Sequence, residues 1–445
     1  MSPQAELFGT VNWGSIYLTL NSVLLVIKNW WWVILPFILW KPFTYLWLFW
    51  RTEVWLKTTF RPVLLEIKIP KEILKPVRAM ENVLAGIWQV SYEPPNWIEK
   101  WWEGQILLSV HFEIVSIESE IHFYIRCHEK YRDSIEANIY SQYPEAEITI
   151  AEDYTKYVPQ DVPNKDWDLW ATDYQLVKEN PYPILTYKKF ETEAEKEEEK
   201  RIDPVAALLE SLSKIKPGEQ FWVQISACPI GENYSAPFYE EGKKIRDRLA
   251  KRPEKSKPKP LLQEAAEILI TGKPPGAEEI KEEEKTLIPP EMRLTPGERE
   301  IVEGVENKIA KPVFQCNIRF IYLGKRDVFF KPNLRLGFGF FSNYATANLN
   351  ALFPYGKTLT KVKSRPPISI LDRRRLYLRQ RKIFRNYKDR FHCYFPRGGK
   401  WPAVFILNTE ELASLYHFPS WRIAPVPGVP RVEAKKAPPP KIPVD

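Results

Sequence analysis

The sequence predicts an α+β fold entered through an N-terminal transmembrane helix, and three observations carry that reading. Apolar and aromatic residues run almost unbroken from 16 to 50. Behind them, alternating segments and helix-spaced segments follow one another in the order β-α-β-β-α-β. The same order then recurs, broken by a long charged stretch. A chain of 445 residues has room for roughly two or three domains. With 44% apolar and 27% charged residues it can bury a sizeable core. Forty prolines against 18 glycines point to stiff connectors.

The membrane anchor is expected over residues 1–58, with its span at about 30–50. Trp30 to Trp50 is 21 residues, and at about 1.5 Å per residue a helix of that length crosses a hydrocarbon core of roughly 30 Å. Tryptophans stand at both ends, where indoles favour the interface. Lys41 and Pro42 interrupt the run, so a register from 16 to 40 and a helix lying in the interface stay open. No Lys or Arg precedes Lys28, whereas Arg51, Lys57, Arg61, Lys68, Lys71, Lys75 and Arg78 follow the span. That bias places the body on the cytoplasmic side, with reduced thiols at Cys127, Cys228, Cys316 and Cys393.

A first unit is expected at 59–160. Its strands are 63–69, 106–117, 121–127 and 147–153, and its helices 71–89 and 129–143. That order is the ferredoxin-like split βαβ unit. A second such unit is expected at 180–370, with strands at 184–190, 220–229, 316–323 and 358–363. Its helices are 203–215, capped by Asp203 with Pro204 at its first position, and 336–352. An insertion at 231–312 carries the linker KRPEKSKPKP and the acidic run EEIKEEEK. The run ETEAEKEEEK (191–200) reads as a solvated loop or helix start.

Catalytic constellations are missing from the pattern. Residues 351–358 fit only the loosest phosphate-loop spacing, with Ala351 at the first glycine position and Phe353, Pro354 and Tyr355 crowding the turn. His111, His122, His128, His392 and His417 form no ligand cluster, and Glu152 and Asp153 face no second acid. Neither enzymatic activity, nor a cofactor, nor a metal is expected. The strongest chemical signal is charge. Residues 361–400 hold 14 Lys or Arg against two acids, and a basic/aromatic segment occupies 371–420. Arg373, Arg374, Arg375, Arg379, Arg381, Lys382, Arg385, Lys388 and Arg390 interleave with Tyr377, Phe384, Tyr387, Phe391, Tyr394 and Phe395. That pattern suits phosphates with bases stacked on rings, or lipid headgroups, or an acidic protein face.

The C-terminal stretch from Phe405 to Ser420, FILNTEELASLYHFPS, leads into the proline-rich tail 421–445. It resembles a junction in type IV secretion and conjugative-transfer ATPases, where a similar stretch closes the N-terminal domain ahead of a HerA/FtsK-like motor. Residues 121–154 look like the front half of the same proteins and of uncharacterised membrane proteins of candidate-phylum bacteria. The sequence departs from the family in ending at Asp445, where the motor would begin. The resemblance implies an accessory scaffold in the bacterial inner membrane, single-pass, serving a secretion- or conjugation-like translocation system. It implies a separate HerA/FtsK-like ATPase as partner, docked through His417, Phe418, Pro419, Pro438, Pro439 and Pro440. A lipid bilayer, DNA and a second copy of the chain complete the expected partners. A membrane-tethered nucleic-acid-binding protein, acting through 361–400, is the alternative.

Overall fold

The computed structural model describes residues 13–70, 75–193, 203–250, 294–364, 366, 368–390, 403–419 and 431–432. The chain divides into two compact units: residues 1–60 with 95–106, and residues 61–94 with 107–445.

In the first unit α1 (Trp13–Thr58) is a single helix of 46 residues with Pro36 and Pro42 inside it. A π-helical turn, Glu99–Glu103, packs on it. The Trp47 indole donates to the Trp101 carbonyl over 2.8 Å, and the Trp47 and Trp102 rings lie 6.2 Å apart. Gly104, at φ 80°, ends that turn, and a Cβ there would come within 2.4 Å of the Arg51 backbone. No helix among the described residues is long and apolar enough to cross a membrane. Lys28, Asn29 and Lys41 break the apolar run, and its many tryptophans and tyrosines are amphipathic rather than fully apolar. The expected span at 30–50 is therefore withdrawn. So are the single-pass inner-membrane placement and the cytoplasmic body that rested on it.

The second unit begins with β1 (Pro62–Pro70), α2 (Val77–Ser91), β2 (Val110–Ile117), β3 (Glu120–His128), α3 (Arg132–Gln142) and β4 (Glu147–Ile150). It continues with β5 (Trp167–Leu176), α4 (Tyr187–Glu193), α5 (Pro204–Leu212), β6 (Glu219–Ile230), α6 (Glu232–Leu249) and α7 (Pro296–Ile309). Next come β7 (Val313–Lys325), α8 (Leu334–Ser342), β8 (Leu352–Pro354) and α9 (Asp372–Lys388). Strand β9 (Phe405–Asn408), α10 (Thr409–Leu415) and the two-residue β10 (Arg431–Val432) complete it.

All ten strands join one sheet, in the order β10-β1-β3-β2-β6-β7-β5-β8, with β4 also on β1 and β9 on β7. Nine of them pair antiparallel, and β10 alone lies parallel, against the end of β1. This corrects the expectation of two separate ferredoxin-like units. Strands β2 and β6 pair along their length, from Val110 with Ala227 to Ile117 with Gln220, and merge everything into a single sheet. Each half nonetheless has the same internal order, β4-β1-β3-β2 and β8-β5-β7-β6. The halves meet antiparallel at equivalent strands, so the seam has the self-complementary form of a two-fold contact.

Three expected elements differ. Residues 184–190 are not a strand: α4 begins at Tyr187, and the second half opens on β5, which lies between the two expected units, 59–160 and 180–370. The helix expected over 336–352 stops at Ser342 and gives way to β8. Residues 358–363 form no strand. Instead the Thr360 hydroxyl accepts from Ala171 N–H and donates to Ala171 C=O, while Thr358 Oγ1 accepts from Asp173 N–H. Two side chains thereby satisfy backbone groups along the edge of β5.

Both faces of the central strands are covered, which is why β6 is buried at every position. On one face Gly337 of α8 lets the helix approach Phe320; a Cβ there would sit 2.7 Å from the ring. Phe112 and Phe123 pack on Tyr416 at 5.2 and 5.9 Å. The opposite face receives α9, whose Ile383, Phe384 and Tyr387 join Trp222, Tyr154 and Tyr124 in one cluster. Each such side chain taken from water contributes about 1.5–3 kcal/mol.

Candidate nucleic-acid interface

Helix α9 has two chemically opposite sides. Gln380, Ile383, Phe384 and Tyr387, at helical spacing, are buried against the sheet. Arg374, Arg381 and Arg385 face outward, with Leu378 and Tyr377 exposed between them. None of these three arginines has an ion-pair partner among the described residues. Arg381 lies over the Tyr377 ring, 5.7 Å from its centroid. Arg374 and Arg385 are eleven residues apart, about 16 Å along the axis. The helix is held at its start by Asp372, whose Oδ2 accepts from the Ser364 N–H over 2.8 Å, a bond that lowers its carboxyl from the ordinary 3.8.

The remaining cations of the predicted set do other work. Arg375 donates to Ser364 Oγ over 2.8 Å, and Arg379 to the carbonyls of Gly356 and Leu359. Lys388 donates to Gln160 and lies 4.8 Å from the Phe384 ring centroid, and burial lowers its pKa. Lys382 is exposed. Arg390 is not a surface contact at all. It is fully buried, follows the helix at φ 44°, and turns inward. Its Nε is 3.0 Å from Glu113 Oε1, and its Nη2 is 3.1 Å from Asp153 Oδ1. Burial opposes its charge, but Glu113 and Asp153 outweigh that and hold it protonated. Phe384 and Tyr387 are core, Tyr377 is 44% exposed, and Phe391, Tyr394 and Phe395 lie outside the described residues.

Beside the N-terminal half of α9, at the start of β5, lies a groove of about 710 Å³. Arg373 stands on its helix side, Lys165 comes from a loop, Lys331 from a 3-10 turn (Lys331–Asn333), and Arg326 from just beyond β7. Against these four cations there is one carboxylate, Asp168, which pairs with Arg326 at 3.3 Å. Trp170, Phe329 and Tyr377 supply ring surface. Of this groove the basic segment disclosed only Arg373 and Tyr377. Lys165, Arg326 and Lys331 are scattered through the chain, and the only hint of the last two was the mixture of cations and rings in RDVFFKPN, 326–333.

The C-terminal motif is structural where it is described. Glu411 caps α10 and makes an ion pair with Lys308 at 3.1 Å, both side chains fully buried. Burial pushes the Glu411 carboxyl up and the Lys308 ammonium down, each opposed by the other's charge. Glu410 is paired with Lys188 at 2.8 Å and Lys311 at 2.6 Å. His417 is buried, with Nε2 3.0 Å from Asp203 Oδ1, and Phe418 packs on Phe123 and Tyr143. Pro419 is buried as well. These three residues therefore face the core rather than a docking partner, while Pro438, Pro439 and Pro440 lie outside the described residues. Cys127, Cys228 and Cys316 are buried and are joined by no disulfide among the described residues. Residues 351–358 form β8 and a turn whose Thr358 serves β5, and no group of His, Cys, Asp or Glu that could hold a metal occurs among the described residues. No protein-family model matches the sequence, and no curated protein matches it.

Proposed function

We propose that this protein binds the phosphate backbone of nucleic acid through the outward side of α9, as an accessory component of a secretion- or conjugation-like translocation system whose ATPase is a separate protein. The observation that carries the binding role is the stripe of Arg374, Arg381 and Arg385, with Tyr377 exposed among them, on a helix whose other side is locked into the core. A row of guanidinium groups with no ion-pair partner among the described residues suits phosphates, and an exposed ring among them is a stacking platform. The translocation setting rests on the resemblance of residues 405–420 to the junction ahead of HerA/FtsK-like motors.

Anisotropy titration of a labelled oligonucleotide against the full chain tests the binding role. Affinity should fall linearly on a log–log plot as salt rises. The R374A/R381A/R385A variant should bind more weakly and show a salt slope shallower by roughly two to three. Wild-type protein that fails to bind at low salt, or a triple variant with an unchanged slope, removes the reading. For the setting, recovery of a HerA/FtsK-type ATPase with the full chain, lost on deleting residues 421–445, is the expected result.

A further inference from the structure

We propose that the groove at the start of β5 is a subsite for one unpaired nucleotide, so that the protein prefers single strands to duplex and reads little sequence; this rests on the nucleic-acid reading of α9. The groove of about 710 Å³ lies within the range of small-molecule sites and is ample for a nucleotide. It opens beside Tyr377 on the same helix as the arginine stripe, so a strand tracking the stripe reaches it without leaving the protein. Lys165, Lys331 and Arg373 stand around it with no ion-pair partner among the described residues, placed to meet phosphate oxygens. Tyr377 and Phe329 offer rings to a base.

What the groove lacks is a free amide to read a base edge. Asn and Gln recognise a base by presenting amide nitrogen and carbonyl oxygen together. Here the Asn164 carbonyl accepts from the N–H groups of Asp166 and Trp167, while its amide nitrogen donates to Asp161. The Gln380 amide nitrogen is held by Leu169 C=O and Asp168. Asp168 itself is bound to Arg326 and to the Leu169 N–H. With both amides engaged and the cations placed for phosphates, the rings hold a base by stacking, and a base inside a duplex has its faces covered by its neighbours. A duplex therefore meets only the arginine stripe.

The test compares the full chain binding to a short oligothymidine, a mixed-sequence strand of the same length, and that strand annealed to its complement. The two single strands should bind with affinities within about threefold of each other, and both on the order of tenfold tighter than duplex. Tyr377→Ala removes an exposed ring and should abolish most of that preference, weakening single-strand binding more than duplex binding, with the thermal midpoint unchanged. Replacing one thymidine by iodouridine and irradiating should cross-link the strand to Tyr377 or Phe329. Duplex bound as tightly as single strand, or a preference that survives Tyr377→Ala with cross-links elsewhere, overturns the subsite while the α9 reading stands. Absence of binding to all three ligands overturns both.

Discussion

Arg390 shows what a charge pattern alone hides. Nine cations within eighteen residues read as one basic surface, yet this one sits at φ 44°, a conformation few non-glycine residues adopt, with its guanidinium between Glu113 and Asp153. Composition marked it as cationic; only the turn after α9 decides that it points inward. His417 is a similar case: an uncommon residue in a distinctive motif, which the fold uses to hold Asp203 at the cap of α5. The Arg390 cluster has a pH signature. Burial alone would raise the Asp153 carboxyl, and the Arg390 guanidinium more than offsets it, so Asp153 titrates below its ordinary 3.8. Its contribution to stability is complete above about pH 4 and is lost as pH falls through the lowered folded value. Denaturant midpoints measured from neutral to acid pH should drop for the wild type, and Asp153→Asn should lack part of that acid slope. Identical slopes for the two proteins would mean the pair does not govern the titration.

At the scale of elements, α9 was legible as a basic, aromatic-studded segment because its charges are contiguous. Its burial was partly legible too, since Gln380, Ile383, Phe384 and Tyr387 keep helical spacing. Phe384→Ala should cost about 3–5 kcal/mol in equilibrium unfolding, because the ring is buried against Trp222. Replacing Arg374 or Arg381 should change stability by no more than about 0.5 kcal/mol. A Phe384→Ala protein as stable as the wild type would show that α9 is not docked on the sheet. Strand β5 was missed for a specific reason. Its sequence WDLWATDYQL places Asp173 in the interior, and an acid in a strand reads as a break unless its partner is known. That partner is Arg319 on β7, 3.1 Å away, far along the chain. Conversely, 184–190 had a strand's apolar start but became α4, which tertiary packing against α10 decides.

Across the whole molecule, the order of elements in the first half was readable, while the first and last strands of the second half and the union of the halves were not. Periodicity tells which side of a strand is apolar; it does not tell which edges meet. The seam places Glu113 opposite Gln224 and His111 opposite Ser226, so polar side chains are matched across it, with Gln224 donating to Glu113 over 2.7 Å. A sheet continuous through such a seam should melt as one body. Far-UV and near-UV circular dichroism should give coincident denaturant transitions for residues 61–445. Two separated transitions would restore the two independent units that the sequence suggested.

The aromatic surface of the first half, Phe112 and Phe123, is closed by Tyr416 and Phe418, and the Tyr416 hydroxyl donates to the Tyr124 carbonyl across 292 residues of chain. A ribosome adding about 5–20 residues per second needs on the order of 15–60 s to make that stretch. Through that interval the nascent first half presents uncovered rings, the kind of surface a chaperone recognises. This part of the core cannot close before the chain has been made through Phe418.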